Sequence, residues 1–318
     1  MGYLIYDAIR TIKESKHVDI EIIVMTSSRI FACPEDVKSV YCEGGPAFKR
    51  NESLKFTIGD YIAFFDDDVR VDDTAIHEMY RVLREKDVGM VFGKLLKMDD
   101  AQTFDEAGSY LTSTGFLWSR GDRVKDVGQF RATENVLAGK SAACMIRRKT
   151  MAEVGMFDPT YEILGEETDL AWRVWLSGKT VKWVPWSITL HAFNTRFKNE
   201  DFYTPERVYY NGPKNYISML LTNLTVCNIA RIVPIHISLW FACGIGMWLK
   251  GRWKEGYLIF RGIFYNLGNI GFIRSKRERI KRYRVIKDRE LFKIILRNPG
   301  LNYYRNRFFR YLFSSIHG

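Results

Sequence analysis

Along the first 190 residues, stretches whose apolar residues have helical spacing alternate with short apolar runs that are typical of strands. Apolar residues spaced three and four apart predict helices over 4–14 and 73–86. Short apolar runs rich in β-branched and aromatic residues predict buried strands over 20–24, 61–65 and 88–95. Because strands and helices follow one another in turn, the pattern predicts an α/β domain.

The rest of this region has the turn residues expected between further elements. Glycines divide the segment 108–128, which predicts loops and short hairpins there. An amphipathic stretch predicts a helix over 168–177 that ends at Gly178, a good helix stop. A final strand is predicted over 182–186, shortly before His191. These elements complete a domain predicted to span residues 1–193.

The pattern changes in residues 194–318, which we expect to form a separate helical region. Residues 209–272 are apolar and aromatic, and 274–289 form a dense basic run. The eighteen uncharged residues IVPIHISLWFACGIGMWL reach the lower limit of a transmembrane span. Three interpretations stay open: helices lying in the membrane interface, a true span, or a buried soluble helical subdomain. Pro234, His236 and the basic tail beyond the run favour the interfacial one.

Charge separates the two regions more sharply than hydropathy does. The 318-residue chain carries a net charge of +11. From Ala192 onward there are 23 basic and 7 acidic residues, a net +16, whereas the preceding part has 25 basic and 30 acidic residues, a net −5. A basic half indicates an anionic partner, and we expect an anionic membrane surface. Nucleic acid is not expected, because no recognition motif accompanies the basic residues.

The cysteines indicate a reducing compartment. Five cysteines are scattered along the chain and none forms a CxxC pair. Zinc ribbons and disulfide scaffolds need paired spacings, so both classes are excluded and reduced thiols in the cytosol are expected. Together with the basic half, this predicts a protein on the cytoplasmic face of a membrane.

Three consecutive carboxylates, Asp66, Asp67 and Asp68, follow the strand predicted over 61–65 in the sequence IAFFDDDVRVD. Ligands of open α/β sheets bind at such strand ends. Like charges in a cluster repel, so a divalent metal that bridges Asp66 and Asp68 to a diphosphate would compensate them. The alternative is a solvated loop, and Asp72 or Asp73 is expected to cap the following helix.

A second acidic group opens the helix predicted over 168–177. Glu166, Glu167 and Asp169 stand in ILGEETDLAWRVWLSG, where the helix dipole alone would favour acids. The functional interpretation is that one carboxylate acts as general base toward a substrate hydroxyl. With His191, a residue more often structural than catalytic, the two acidic groups form a plausible metal-and-base constellation.

These motifs together resemble glycosyltransferase family 2. IAFFDDDVRVD is similar to the family's DxD region, and 136–193 resembles its central stretch, with G-x-FD, an acidic pair, D-L-x-x-R and a final His. The branch it most resembles contains rhamnosyltransferases and galactofuranosyltransferases. The resemblance implies a GT-A-type sheet with helices on both faces, followed by a helical, membrane-associating region. It also implies that the family's first strand is missing from this sequence.

For the donor, the resemblance implies a nucleotide-sugar held with Mg²⁺ or Mn²⁺. The residues implied to bind the substrate are Asp66, Asp67, Arg50, Asn51 and Gly139. The residues implied to hold the metal are Asp68, Asp66 and His191.

For the reaction, the resemblance implies Glu167 as catalytic base, with Glu166 as the acid before it; family members usually have Asp at the base position. Asp169 and Arg173 would support the base indirectly. The expected activity is metal-dependent, inverting transfer of a hexose or deoxyhexose to a glycan or lipid-linked acceptor. The alternative is a non-catalytic, membrane-associated relative. A haloacid-dehalogenase phosphatase is disfavoured, because Arg70 stands where that motif needs Thr or Val.

Overall fold

The computed structural model describes the backbone of residues 2–29, 31–192 and 204–313 and the side chains of 4–29, 31–192 and 204–307. The chain divides into two compact units. The first comprises residues 1–109, 119–162 and 166–193, and the second comprises 110–118, 163–165 and 194–318. The second unit therefore includes two short segments that lie far from its helices in the sequence.

The first unit begins with helix α1 (Gly2–Lys13), followed by strands β1 (Ile23–Thr26) and β2 (Lys38–Tyr41) and helix α2 (Pro46–Ser53). Strands β1 and β2 pair in parallel as a two-stranded sheet of their own. The strand predicted over 20–24 thus starts three residues later than expected, because pairing with β2 begins only at Ile23.

The main sheet of the first unit has seven strands. The elements that follow α2 are β3 (Tyr61–Phe65), β4 (Val69–Val71), α3 (Ala75–Leu83), β5 (Val88–Lys97), β6 (Phe104–Glu106), β7 (Ser109–Leu111), β8 (Leu117–Ser119), β9 (Glu134–Asn135), β10 (Ala143–Arg147), α4 (Arg148–Val154), α5 (Glu166–Leu176) and β11 (Thr180–His191). The sheet order is β3-β10-β5-β11-β4, with β6 beside β5 and β9 beside β11; β7 and β8 pair separately. Helices α3 and α5 each contact β5 and β11, which gives the expected mixed α/β architecture.

Strand β11 is longer than its sequence predicts. Proline normally interrupts a strand because it lacks an N–H donor. Here the pairing of β11 with β5 shifts register between Val184 and Ile188, so that Pro185 lies in a bulge and the strand continues to His191. The bulge thereby extends β11 to the edge of the sheet where the acidic residues lie.

Helix α3 is shorter than the predicted 73–86. Asp72 Oδ1 accepts hydrogen bonds from the backbone N–H and the hydroxyl of Thr74, which closes the turn before the helix. The N-cap residue is Thr74, so the prediction of Asp72 or Asp73 as the cap is wrong: the helix begins only at Ala75. The inner face of α3 contributes Met79 and Leu83, both fully buried, to a core shared with α1 and the main sheet.

The second unit is helical throughout its described C-terminal part. Its helices are α6 (Pro205–Asn223), α7 (Val226–Leu249), α8 (Trp253–Gly268), α9 (Ile270–Lys281), α10 (Asp288–Ile295) and α11 (Leu301–Phe313). Trp240, Met247 and Ile259 are buried between α7 and α8. A Cβ atom on Gly262 would lie 2.4 Å from the Tyr210 carbonyl oxygen, so α6 and α8 approach closely because this residue has no side chain.

Within the described residues, α7 alone is long and apolar enough to cross a membrane, with a mean hydropathy of 1.7 over its most apolar window. About two fifths of that window is buried inside the protein (39%). Length and composition by themselves do not separate a spanning helix from a core helix.

Candidate active site

Strand register brings together two aspartates and a histidine. Asp66 and Asp68 lie in the turn between β3 and β4, and His191 pairs with Val69 across the antiparallel β4–β11 ladder. His191 Nε2 lies 3.4 Å from Asp68 Oδ1 and 4.0 Å from Asp66 Oδ2. One ligand atom from each of the three residues falls within 4.8 Å of the others, which is compact enough to hold a metal ion.

The other ring nitrogen of His191 contacts a carboxylate. His191 Nδ1 lies 2.9 Å from Asp105 Oδ2, and Lys140 Nζ donates to Asp105 Oδ1 at 2.6 Å. Burial by itself would lower the pKa of His191, but hydrogen bonds to Asp105 and Asp68 outweigh it and raise the pKa to about 9. Burial likewise disfavours charge on Asp105, yet Lys140 and His191 hold its pKa below the usual range.

Arg50, on α2, connects the two acidic clusters that the sequence shows separately. Its Nη2 donates to Asp66 Oδ1 at 3.0 Å, and its Nη1 donates to Glu166 Oε1, also at 3.0 Å. Burial would lower the pKa of Arg50, but the charges of Asp66 and Glu166 more than reverse this and raise it. One buried guanidinium therefore neutralises part of both clusters.

Glu166 and Glu167 begin helix α5, where the helix dipole favours acids. Leu164 and Gly165 precede them with φ angles of 68° and 91°, a left-handed turn that sets the direction of the helix. Glu166 is buried at 4% exposure, and Glu167 is half-buried and accepts a hydrogen bond from Thr168 Oγ1 at 3.0 Å. Burial and the charge of Glu166 raise the pKa of Glu167 well above its usual range, while Arg50 partly opposes this.

Asp169 and Arg173 form an ion pair within helix α5. Arg173 Nε donates to Asp169 Oδ2 at 2.8 Å, and both side chains are buried. The guanidinium also donates to the carbonyl oxygens of Val154, Gly155 and Met156. Their contacts are with protein groups rather than with an open site.

The structure also gives the surroundings of three other residues that are predicted to contact the substrate. Asn51 forms two hydrogen bonds with the backbone of Phe157, and Gly139 packs so tightly that a Cβ atom would lie 2.8 Å from Phe92. Asp67 is exposed in the turn and is not part of the Asp66–Asp68–His191 cluster. Among the described contacts, Arg50 therefore bonds to both acidic clusters, whereas Asn51 bonds to the backbone of Phe157.

Asp105 and Lys140 are functional candidates that the sequence did not indicate. Asp105 stands in QTFDEAG with no neighbouring histidine or motif, and Lys140 follows Gly139 in a loop. The available signal was an adjacent acid pair, Asp105 and Glu106, in an apolar context. Burial of both at 4% and 3% exposure became visible only in the structure.

The donor set of the cluster suits a hard divalent cation. Two carboxylates supply oxygen ligands, which Mg²⁺ and Mn²⁺ prefer, and His191 adds an imidazole nitrogen, which Mn²⁺ accepts readily. The buried positions of Asp68 and His191, at 1% and 5% exposure, are consistent with charges that a cation compensates. The residues present therefore fit such an ion.

Solved structures of other proteins share this fold. The crystal structure of GalNAc-T7 with UDP, GalNAc and Mn²⁺ aligns with a TM-score of 0.57 at 14% identity, over 86% of this chain and 51% of that one. The structure of S. aureus TarS 1–349 aligns with a TM-score of 0.52 at 13% identity, over 88% and 85% of the two chains. At these identities the likeness shows the fold alone.

Sequence comparison identifies the family. The profile described as glycosyl transferase family group 2 matches residues 61–262, and the chain belongs to that family. The pre-mycofactocin glycosyltransferases of two Mycobacterium tuberculosis strains are 24% identical over 197 residues, which is 57% of this chain. The chain spans about two fifths of the length of these curated relatives (39%).

Proposed function

We propose that this chain is a metal-dependent, inverting glycosyltransferase that uses a nucleotide-sugar donor. The observation that carries the proposal is the Arg50 bridge, with 3.0 Å contacts to Asp66 and to Glu166. The bridge connects Asp66 of the candidate metal cluster to Glu166, the residue before Glu167 at the start of α5. A cation site and a proton acceptor are the two parts that sugar transfer from a diphosphate needs.

In the proposed reaction, the acceptor hydroxyl oxygen attacks the anomeric carbon of the donor sugar. Glu167 takes the hydroxyl proton in its ionised form, and its raised pKa makes that carboxylate a stronger proton acceptor than an ordinary glutamate. The bond from the anomeric carbon to the diphosphate oxygen breaks, and the diphosphate leaves with the bonding electrons. Attack opposite the leaving group inverts the configuration.

The remaining residues hold the reacting groups. Asp66, Asp68 and His191 would ligate Mg²⁺ or Mn²⁺, which supplies positive charge to the departing diphosphate. Arg50 donates a hydrogen bond to Glu166. Among the described contacts it makes none with Glu167, so we assign the role of base to Glu167. In the GalNAc-T7 structure the bound molecules are UDP, GalNAc and Mn²⁺, which supports the proposed donor chemistry. We propose a hexose or deoxyhexose as the transferred sugar, as in the rhamnosyl- and galactofuranosyltransferase branch, and a glycan or lipid-linked acceptor.

A donor screen on the purified chain tests the proposal. Binding and slow hydrolysis of UDP-, GDP- and dTDP-sugars are measured by calorimetry and nucleotide release, with and without Mn²⁺. We expect one donor to bind only with metal, Asp68→Ala to abolish binding, and Glu167→Gln to retain binding while turnover falls at least 100-fold.

The matched controls are Glu162→Gln and Asp87→Asn, exposed carboxylates of the same unit that take no part in either cluster. Both are expected to behave as wild type. Absence of donor binding in the wild-type chain, or unchanged turnover in Glu167→Gln, would contradict the proposal. The first result would instead favour the alternative of a non-catalytic relative.

We further propose that the second unit lies on an anionic membrane surface. Large apolar side chains are exposed at the end of α7 and along α8. They are 53–84% exposed and comprise Leu249, Trp253, Tyr257, Phe264 and Leu267. Exposed basic residues, Lys250 and Lys254 among them, alternate with these apolar residues. Aromatic side chains beside lysines suit the interface of a bilayer with anionic headgroups, on the cytoplasmic face.

Vesicle sedimentation tests the membrane proposal. We expect binding to phosphatidylcholine–phosphatidylglycerol vesicles, weak binding to pure phosphatidylcholine, and release at 1 M salt, which screens charge within about 3 Å. Trp253→Ser should weaken binding, whereas Trp186→Ser, which alters another exposed tryptophan in the first unit (52% against 66% for Trp253), should not. Equal binding to both vesicle types would contradict the proposal, and retention after alkaline extraction would favour a spanning helix.

A further inference from the structure

A buried carboxylate contacts the candidate metal ligand His191 on the side away from the cluster. Asp105 Oδ2 lies 2.9 Å from His191 Nδ1, while His191 Nε2 faces Asp68 Oδ1 at 3.4 Å. The two ring nitrogens therefore have different partners. One points toward the residues that would share a cation, and the other points into the protein.

The chemistry of imidazole gives this arrangement a consequence. A histidine that gives its Nε2 lone pair to a metal keeps its single N–H at Nδ1. A carboxylate that accepts from Nδ1 selects this tautomer, fixes the plane of the ring and makes Nε2 a better electron donor. Asp105 is placed to do all three.

Asp105 is itself held firmly. It lies on β6 between Phe104 and Glu106, which pair with Leu96 and Leu95 of β5, and the residue is 4% exposed. Lys140 Nζ donates to Oδ1 at 2.6 Å, which leaves Oδ2 directed at His191. The backbone N–H of Lys140 donates to Glu106, so the lysine is anchored beside the acid that it holds.

We propose that Asp105 is a positioning residue that orients His191 for metal binding, with Lys140 keeping the carboxylate in place. This inference rests on the proposed function, because it needs Asp66, Asp68 and His191 to bind a divalent ion. Asp105 contacts neither the ion nor the substrate in this scheme and acts entirely through the histidine ring.

The test measures Mn²⁺ affinity by electron paramagnetic resonance, independently of turnover, in the full chain. Asp105→Asn and Asp105→Ala are expected to weaken Mn²⁺ binding about 10- to 100-fold, the usual effect of losing such a partner. The control is Asp126→Asn, which removes a half-buried carboxylate that pairs with Lys94 and has no contact with the cluster among those described. Its Mn²⁺ affinity should equal that of wild type.

A double-mutant cycle separates positioning from general support of the fold. If Asp105 acts through the imidazole, Asp105→Asn should cause no further loss of Mn²⁺ affinity in a His191→Ala background. An equal loss in both backgrounds, or wild-type affinity in the Asp105→Asn single variant, would overturn the inference while the proposed function stands. Failure of the wild-type chain to bind Mn²⁺ would overturn both, before any substitution is made.

Discussion

Asn51 and Phe157 exchange two hydrogen bonds: Asn51 Nδ2 donates to the Phe157 carbonyl oxygen at 2.7 Å, and Asn51 Oδ1 accepts from the Phe157 N–H at 3.0 Å. The side-chain amide thus pairs with this backbone as a neighbouring strand would. Because Phe157 packs edge-on against Phe64 at the end of β3, the pair connects α2 to the loop before α5 and to the main sheet.

Asn51→Ala is expected to lower the free energy of unfolding by about 1–3 kcal/mol, because two buried backbone groups lose their partners. Urea denaturation followed by circular dichroism measures the change. Asn135→Ala, at an exposed asparagine of the same unit, should change it by less than about 0.5 kcal/mol. A similar loss in both variants would show that the Phe157 contact is not the cause.

Arg50→Met should be more damaging, because it leaves the buried Glu166 carboxylate without its guanidinium. Breaking a buried ion pair from one side typically costs about 3–5 kcal/mol. Arg50→Met combined with Glu166→Gln should recover part of that loss, since the more deeply buried of the two partners is then neutral while Asp66, which is more exposed, stays charged. Arg10→Met serves as the control, because that guanidinium pairs with carboxylates at the surface. No recovery in the double variant would contradict this electrostatic explanation.

Gly139→Ala is predicted to destabilise the first unit through steric contact. The added methyl group would lie 2.8 Å from Cβ and Cγ of the buried Phe92, near enough to the backbone that the ring cannot simply rotate away. Overpacking of this kind costs about 1–3 kcal/mol. Gly271→Ala, whose methyl group would meet nothing within 4 Å on helix α9, should be neutral or slightly stabilising in the same thermal-unfolding assay.

His236 predicts acid sensitivity of the second unit. The residue is fully buried among Phe116, Tyr216 and Trp240, and burial lowers its pKa from 6.5 to about 3. Below pH 6.5 the unfolded chain binds a proton that the folded state does not, so stability falls as pH falls. The loss is about 1.4 kcal/mol per pH unit between pH 6.5 and 3.

Urea unfolding at pH 7.5 and 5.5 checks this expectation. Wild type should lose about 1.4 kcal/mol more than His236→Gln over that interval, since all other titrating groups are common to both chains. Equal pH dependence in the two proteins would show that His236 is not held neutral in the folded state.

Much of the first unit was predictable from local pattern. The strand over 61–65 matches β3, and the helices predicted near 4–14 and 168–177 match α1 and α5 within a few residues. The spacing of apolar residues and the positions of turn residues predict these elements, because a strand or a helix places its own apolar side chains at a fixed spacing. The acidic groups at Asp66–Asp68 and Glu166–Glu167 were visible for the same reason: their members are neighbours in the chain.

What joins those groups depended on the tertiary structure. Arg50 and Glu166 are 116 positions apart, and Asp105 and His191 are 86 apart, so no local spacing relates either pair. The continuation of β11 past Pro185 to His191 likewise depends on pairing with β5 and β4. By itself the sequence determined the elements and the residues able to do chemistry, because periodicity and composition are local. Strand order and register decided which of those residues meet, because they arise from contacts between distant segments that local pattern does not specify.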